Sequence, residues 1–89
     1  MNIEVLFFGQ LREITGASRT NVVINDNSRL ADLVLHLSNQ YGDTFQEKVE
    51  GIEGMRILIN GREYYLLGRM EAPLSDGNTV VFLPPIAGG

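Results

Sequence analysis

Two short runs of apolar, β-forming residues, one near each end of the sequence, constrain the fold most. Residues 3–8 and residues 79–83 are both almost continuously apolar. Strands of this composition are typical of the interior of a sheet, where both faces are covered. We therefore predict that the first and last strands are neighbours at the centre of one sheet and that they are buried on both faces.

The segments between these two runs predict the remaining strands. Residues 19–24 are predicted to form a strand with Thr20, Val22 and Ile24 on one face, and residues 55–59 a strand with Met55, Ile57 and Ile59 on one face. Asn60-Gly61 is a strong hairpin signal, because both central positions of a type I′ turn need positive φ. Residues 62–67 are therefore predicted to return as a further strand.

One main helix is predicted in the middle of the chain. Its N-cap is expected at Ser28 and its end at about Tyr41. Residues 10–15 and 43–50 are predicted to form shorter helical pieces. The spacing of the apolar residues places four of them on one face of the main helix, and these are Leu30, Leu33, Val34 and Leu37.

The order of elements indicates a fold class and a domain boundary. A mixed sheet of four to five strands with one main helix packed on one face is an α+β architecture, and the pattern fits a β-grasp, or ubiquitin-like, roll. A chain of 89 residues is enough for one such domain. Pro84-Pro85 stops the last strand, because proline cannot donate to a sheet ladder. We assign residues 1–83 to the β-grasp domain and residues 84–89 to a flexible C-terminal Gly-Gly tail.

Composition and charge exclude several classes of protein. The chain has no cysteine, which excludes disulfides, thiolate metal sites and a cysteine nucleophile. The net charge is −4 and the seven basic residues are scattered, which argues against a nucleic-acid partner. No apolar run approaches membrane-spanning length, and Glu4 lies where a signal peptide would carry bases. We expect a cytoplasmic protein that binds neither nucleic acid nor membrane.

No group of residues predicts a conventional active site. His36 is the only histidine, has no metal co-ligands nearby in the sequence and is expected at the rim of the helix or in solvent. Glu47, Glu50 and Glu53 are predicted to form a solvated acidic face and not an acid–base pair. For Tyr64-Tyr65, core or edge packing is the simplest interpretation. We therefore expect a protein that is not an enzyme by itself and that binds no metal or cofactor.

The end of the sequence is its most unusual feature. Gly88-Gly89 follows the proline pair, and a segment without Cβ atoms can thread a channel too narrow for other residues. An α-carboxyl group titrates at about pH 3.5, so a terminal carboxylate is ionised at neutral pH. A carboxylate of this kind can attack the α-phosphate of ATP to give an acyl adenylate. A sulfur nucleophile then gives a thiocarboxylate, whereas a thiol followed by a lysine amine gives a protein conjugate. The ATP site must lie on another protein, because this chain has none of its parts.

Several motifs resemble one known family. The opening residues 5–16, the turn at 59–61, residues 74–77 and the closing residues 81–89 resemble MoaD/ThiS sulfur carriers in order and across the whole chain. The resemblance is greatest to MoaD, the small subunit of molybdopterin synthase, and the closing motif of strand, Pro-Pro, a small or branched pair and Gly-Gly is the most specific. The stretch at 64–71 is longer than in the bacterial form and resembles the archaeal branch, some of whose members are protein modifiers.

The resemblance implies roles for particular residues and partners. Gly89 is expected to be adenylated by a MoeB-like activating enzyme, which uses the ATP, and then to be converted to a thiocarboxylate. The tail, with Gly88 as its threading residue, is expected to insert into a MoaE-like large subunit and to donate sulfur to the pterin precursor. The expected partner-binding residues are Phe8, Leu83, Pro84, Pro85 and Ile86. Core packing is an alternative role for Phe8 and Leu83.

Two other functions remain open at this point. The first is a ubiquitin-like modifier that is conjugated through its C-terminal glycine to lysines of other proteins, since the chemistry is shared up to the adenylate. Lys48 is the only lysine, which disfavours polymer formation on the chain itself. The second is a binding module in which Gly-Gly is incidental.

Overall fold

The computed structural model describes residues 1–85, which form a five-stranded sheet with helices packed against one face. The strands are β1 (Asn2–Phe7), β2 (Arg19–Val23), β3 (Arg56–Ile59), β4 (Arg62–Glu63) and β5 (Thr79–Leu83), and the helices are α1 (Gly9–Thr15), α2 (Leu30–Tyr41) and α3 (Asp43–Gly51). Two single turns of 3₁₀ helix follow β4, at Tyr64–Leu66 and Arg69–Glu71.

The strand order is β2-β1-β5-β3-β4. β1 and β5 pair in parallel, with Phe7 opposite Phe82, whereas the other three neighbouring pairs are antiparallel. A central parallel pair made from the first and last strands, flanked by antiparallel strands and covered by a helix, is the β-grasp arrangement. The predicted fold class and the predicted central pair are both confirmed.

The hydrophobic core lies between the sheet and the helices. The four residues predicted to form the inner face of α2 are all buried, and α3 adds Phe45 and Val49. Three aromatic rings from β1, α3 and β5 pack together at the centre. Phe7 and Phe82 stack with centroids 6.1 Å apart, and Phe45 meets them edge-on at 5.7 and 5.4 Å. Such pairs add stabilisation beyond their buried area.

The prediction that β1 and β5 are buried on both faces is wrong. Ile3, Val5 and Phe7 are buried, but Leu6 on the opposite face of β1 is only half-buried, and β5 alternates in the same way. The helices cover one side of the sheet, so successive side chains of each strand alternate between the core and an uncovered side. We call the uncovered side the open face.

The hairpin at Asn60-Gly61 is confirmed, but the long strand predicted after it is wrong. Asn60 and Gly61 have φ values of 49° and 80°, as a type I′ turn requires. β4 ends at Glu63, and the 3₁₀ turn begins at Tyr64. The side chain of Tyr64 packs against the core, together with Met70 from the second turn. This packing folds the segment back over the end of the sheet and ends the hydrogen-bonded pairing of β4 with β3.

The start of α2 differs from the prediction by one position. The N-cap is Arg29, and the Ser28 hydroxyl instead donates to the Asn25 carbonyl oxygen at 2.7 Å. The Arg29 backbone N–H donates to Asp32 Oδ2 at 2.8 Å, as in half of a capping box. The carboxylate of Asp32 therefore caps the Arg29 N–H, and the N-cap predicted at Ser28 is not formed.

Replacing Asp32 with alanine should destabilise the fold. The Asp32→Ala change removes the acceptor of the Arg29 N–H and a negative charge from the first turn of α2. Loss of a cap costs about 0.5–2 kcal/mol, which for a domain of this size lowers the melting temperature by several degrees. Thermal melts measure this effect. Glu47→Ala, at an exposed position of α3, removes the same charge and is the control. Equal melting temperatures for the two variants would contradict the capping role.

Candidate functional site

The structure brings together four of the predicted partner-binding residues. Phe8, Leu83, Pro84 and Pro85 line one groove of about 350 Å³ at the end of β5. Ile86 and the two glycines assigned to the reacting end, Gly88 and Gly89, lie outside the described residues. The described site is therefore the base from which the C-terminal segment begins.

The register of the two central strands makes this groove. Phe7 lies opposite Phe82 in the parallel pair, so the next residue of each strand, Phe8 and Leu83, falls at the same end of the sheet. Phe8 leaves β1 in an extended conformation and precedes α1, and its side chain is 42% exposed. Leu83 is half-buried. Phe8 and Leu83 are thus adjacent in space although they are far apart in sequence. Neither residue belongs to the buried core.

Both prolines pack against glycines. Pro84 is buried, and a Cβ atom on Gly9 would lie 2.9 Å from Pro84 Cγ. Pro85 is exposed, and a Cβ on Gly54 would lie 3.6 Å from Pro85 Cγ. The first residue that we assigned to the tail is thus held against the start of α1, and the second lies beside the loop that precedes β3. Since proline also fixes φ, the direction in which the chain leaves the sheet is constrained.

A second groove lies on the other side of the same prolines. It has a volume of about 290 Å³ and is lined by Gly54 and Arg56 in addition to Leu83 and the proline pair. The base of the C-terminal segment therefore stands between two grooves. A protein that enclosed this segment would contact both of them.

The open face of the sheet carries an apolar stripe that leads to the groove. Leu6, Val81 and Leu58 are register partners on three adjacent strands, and all three are half-buried. Leu83 follows them by two positions along β5, on the same face. An apolar surface of this kind on a small domain is typical of a docking site for another protein.

Two ion pairs border the apolar stripe. Arg19 Nε lies 3.7 Å from a Glu4 carboxylate oxygen on one side, and Arg56 Nε donates to Glu63 Oε1 at 2.8 Å on the other. The arginine side chains are more than half exposed, so these pairs contribute little to folding stability. An apolar centre with a polar rim is the usual anatomy of a protein interface.

Sequence reasoning missed this stripe because it assumed two covered faces for β1 and β5. One signal in the sequence pointed to an open face. A chain of this length predicts a single helical layer, which can cover only one side of a sheet. Apolar residues on the second side of the central strands must then face solvent or a partner.

The other residues considered for chemistry form no site. His36 is half-buried on α2, and Glu47, Glu50 and Glu53 are exposed. Within residues 1–85, no three histidine, cysteine, aspartate or glutamate side chains are grouped so that they could hold a metal ion. In the same part of the chain, no helix combines the length and apolarity needed to cross a bilayer.

Comparisons with known proteins agree on the family. The ThiS family model matches residues 5–89. The chain is 32% identical to small archaeal modifier protein 3 of Haloferax volcanii, with all of both chains covered. It is 33% identical to the molybdopterin synthase sulfur carrier subunit of Escherichia coli, over 98% of this chain and 99% of the relative.

A solved structure resembles this chain in a complex. The complex contains subunits 1 and 2 of the molybdopterin-converting factor from Helicobacter pylori. The matching chain is 27% identical, with a TM-score of 0.62 and complete coverage of both chains. A protein of this fold is therefore known in association with a second subunit.

Proposed function

This chain belongs to the ThiS family of ubiquitin-like sulfur carriers and modifiers, and on that premise we propose that it carries sulfur on the carboxylate of Gly89 as the small subunit of molybdopterin synthase. The observation that carries the proposal is that the family match runs to residue 89 and so includes Gly88 and Gly89. The likeness to a sulfur carrier subunit over almost the whole length of both chains supports it.

The proposed reaction has two steps. The Gly89 carboxylate attacks the α-phosphate of ATP, and pyrophosphate leaves, which gives an acyl adenylate. Hydrosulfide supplied by a sulfur donor then attacks the acyl carbon, AMP leaves, and loss of the sulfur-bound proton gives the thiocarboxylate. ATP is used by a MoeB-like activating enzyme and no cofactor is held by this chain, which acts as a carrier and not as a catalyst.

The described surface supports two partners in turn. The groove at Phe8 and Leu83, together with the apolar stripe, is proposed to dock first the activating enzyme and then a MoaE-like large subunit. We propose that these encounters take place in the cytoplasm. The packed prolines would hold the start of the C-terminal segment in a fixed direction. Holding a reacting group in the right geometry accounts for a large part of many rate accelerations.

Sulfur loading by the purified protein tests the proposal. With ATP alone, the chain should release no pyrophosphate, because residues 1–85 bring together no catalytic group for the reaction. With a MoeB-like enzyme and a sulfur donor, mass spectrometry should find one oxygen-to-sulfur exchange on the C-terminal peptide. The loaded chain should then form a complex with a MoaE-like subunit on gel filtration and convert the pterin precursor. Pyrophosphate release by the chain alone would exclude the carrier function.

The second candidate function is conjugation to lysines of other proteins. It is favoured by the likeness to small archaeal modifier protein 3, which covers all of both chains. In this case a thiol attacks the acyl carbon of the Gly89 adenylate and AMP leaves, and a lysine amine then attacks the resulting thioester and the thiol leaves. Tagged chain expressed in cells of its source would give conjugates with a Gly89–lysine isopeptide bond, and the MoaE-like subunit would gain no sulfur from it.

A further inference from the structure

Pro84 is the first residue beyond β5, and packing holds it where the hydrogen-bonded ladder ends. Leu83 still pairs with Arg56 of β3, whereas β1 pairs with β5 only as far as Phe82. Proline has no backbone N–H with which to extend the ladder. Pro84 is nevertheless buried, so the contacts of its ring set its position.

The ring of Pro84 lies in a space that exists because residue 9 is glycine. Gly9 has a φ of +55°, and a Cβ atom on it would lie 2.9 Å from Pro84 Cγ. Non-bonded carbon atoms pack at about 3.5–4.0 Å, so a side chain at this position would displace the ring. Phe7 and Leu11, two positions to either side of Gly9, are buried in the core and anchor the walls of this space. The start of α1 is therefore a fixed support for the proline ring.

We propose that Gly9 and Pro84 are positioning residues, which together set the direction in which the C-terminal segment leaves the sheet. The inference rests on the proposed function. Gly89 lies five residues beyond Pro84, a distance of up to about 17 Å in an extended chain. An enzyme docked on the domain meets the carboxylate at the right place only when the segment starts in the right direction.

This positioning acts on a different step from docking. The exposed side chains around the groove at Phe8 and Leu83 hold the enzyme, and KM reports that binding when the chemical step is slow. The direction at Pro84 decides how often the carboxylate of a docked chain reaches the nucleotide. That step contributes to kcat, because a misplacement of about 1 Å can cost about 100-fold in rate. Loss of the ring contact should therefore lower kcat more than it raises KM.

Pyrophosphate release by a MoeB-like enzyme at varied carrier concentration tests the proposal. Pro84→Ala removes the ring, and Gly9→Val fills the space in which the ring lies. Each should lower kcat at least about tenfold, and KM for Pro84→Ala should stay within about twofold of the wild type. Gly16→Val is the matched control. Gly16 follows the other end of α1 with a φ of +70°, but apart from its chain neighbours no atom of residues 1–85 lies within 4 Å of its Cβ position. This variant has similar backbone strain and should keep the wild-type kcat.

Two further variants separate positioning from stability. Asp32→Ala weakens the N-terminus of α2 without touching Gly9 or Pro84, and it should keep the wild-type kcat. In the double variant Gly9→Val/Pro84→Ala, the losses of kcat should not add, because both single changes disable the same contact. A wild-type kcat for Pro84→Ala, equal losses in Gly16→Val or Asp32→Ala, or a loss confined to KM would each overturn the proposal. If no activating enzyme releases pyrophosphate with the wild-type chain, the proposed function itself fails.

Discussion

Deletion of Gly88 and Gly89 is expected to lower activation of the chain by a factor of at least about 100. The shortened chain still ends in a carboxylate, that of Ala87, so the change tests the position of the group and not its presence. Two residues span up to about 7 Å, and a misplacement of about 1 Å at a reacting group can cost about 100-fold in rate. The shortened carboxylate should therefore fail to reach the nucleotide held by the activating enzyme.

Mass spectrometry after incubation with the activating enzyme, ATP and a sulfur donor provides the measurement. Gly88→Val serves as a second variant, because it keeps the terminal carboxylate and adds a β-branched side chain to the segment that must thread the channel. The described core extends from Ile3 to Phe82, so both variants should keep the free energy of unfolding within about 0.5 kcal/mol of the wild type. If the shortened chain gains sulfur as the wild type does, Gly89 is not the carrier site.

Periodic patterns in the sequence predicted most of the fold correctly. The inner face of α2 followed from residues three and four apart, and the turn at Asn60-Gly61 followed from two residues that accept positive φ. The pairing of β1 with β5 followed from their apolar composition. Each of these predictions depends on local spacing or composition, which a sequence displays directly.

Other features depend on contacts between distant residues and could not be predicted in this way. Leu6 and Val81 are as apolar as core residues, yet they lie on the open face. Composition does not distinguish a face covered by the same chain from one that meets another protein. The segment after Glu63 has strand-like residues, but packing of Tyr64 and Met70 against the core outweighs that preference.

The site was predicted only in part. Phe8 and Leu83 were identified by resemblance, but the groove that they share depends on the parallel register of β1 and β5. The packing of Pro84 against Gly9 joins residues at opposite ends of the chain, and no local pattern indicates such a contact. The docking role of these residues stays a prediction, which the next experiment addresses.

Replacing Phe82 with alanine is expected to remove a large part of the stability of the domain. Phe82 is fully buried, stacks on Phe7 and meets Phe45 edge-on. Truncation of a core phenylalanine costs about 3–5 kcal/mol, whereas small domains are stable by about 5–15 kcal/mol. At about 4–8 °C per kcal/mol, the melting temperature should fall by more than about 12 °C. Urea denaturation followed by circular dichroism measures the loss.

Leu83→Ala is the matched control, because Leu83 is the next residue of the same strand and lies on the opposite face. Its side chain is half-buried beside Phe8 and the proline pair. Partial exposure limits the cost of its truncation to about 1 kcal/mol, but loss of an apolar contact at the centre of a docking surface should weaken partner binding by about tenfold. Phe82→Ala and Leu83→Ala should thus separate stability from binding. If Leu83→Ala unfolds as readily as Phe82→Ala, then Leu83 acts as a core residue and its assigned role in docking is wrong.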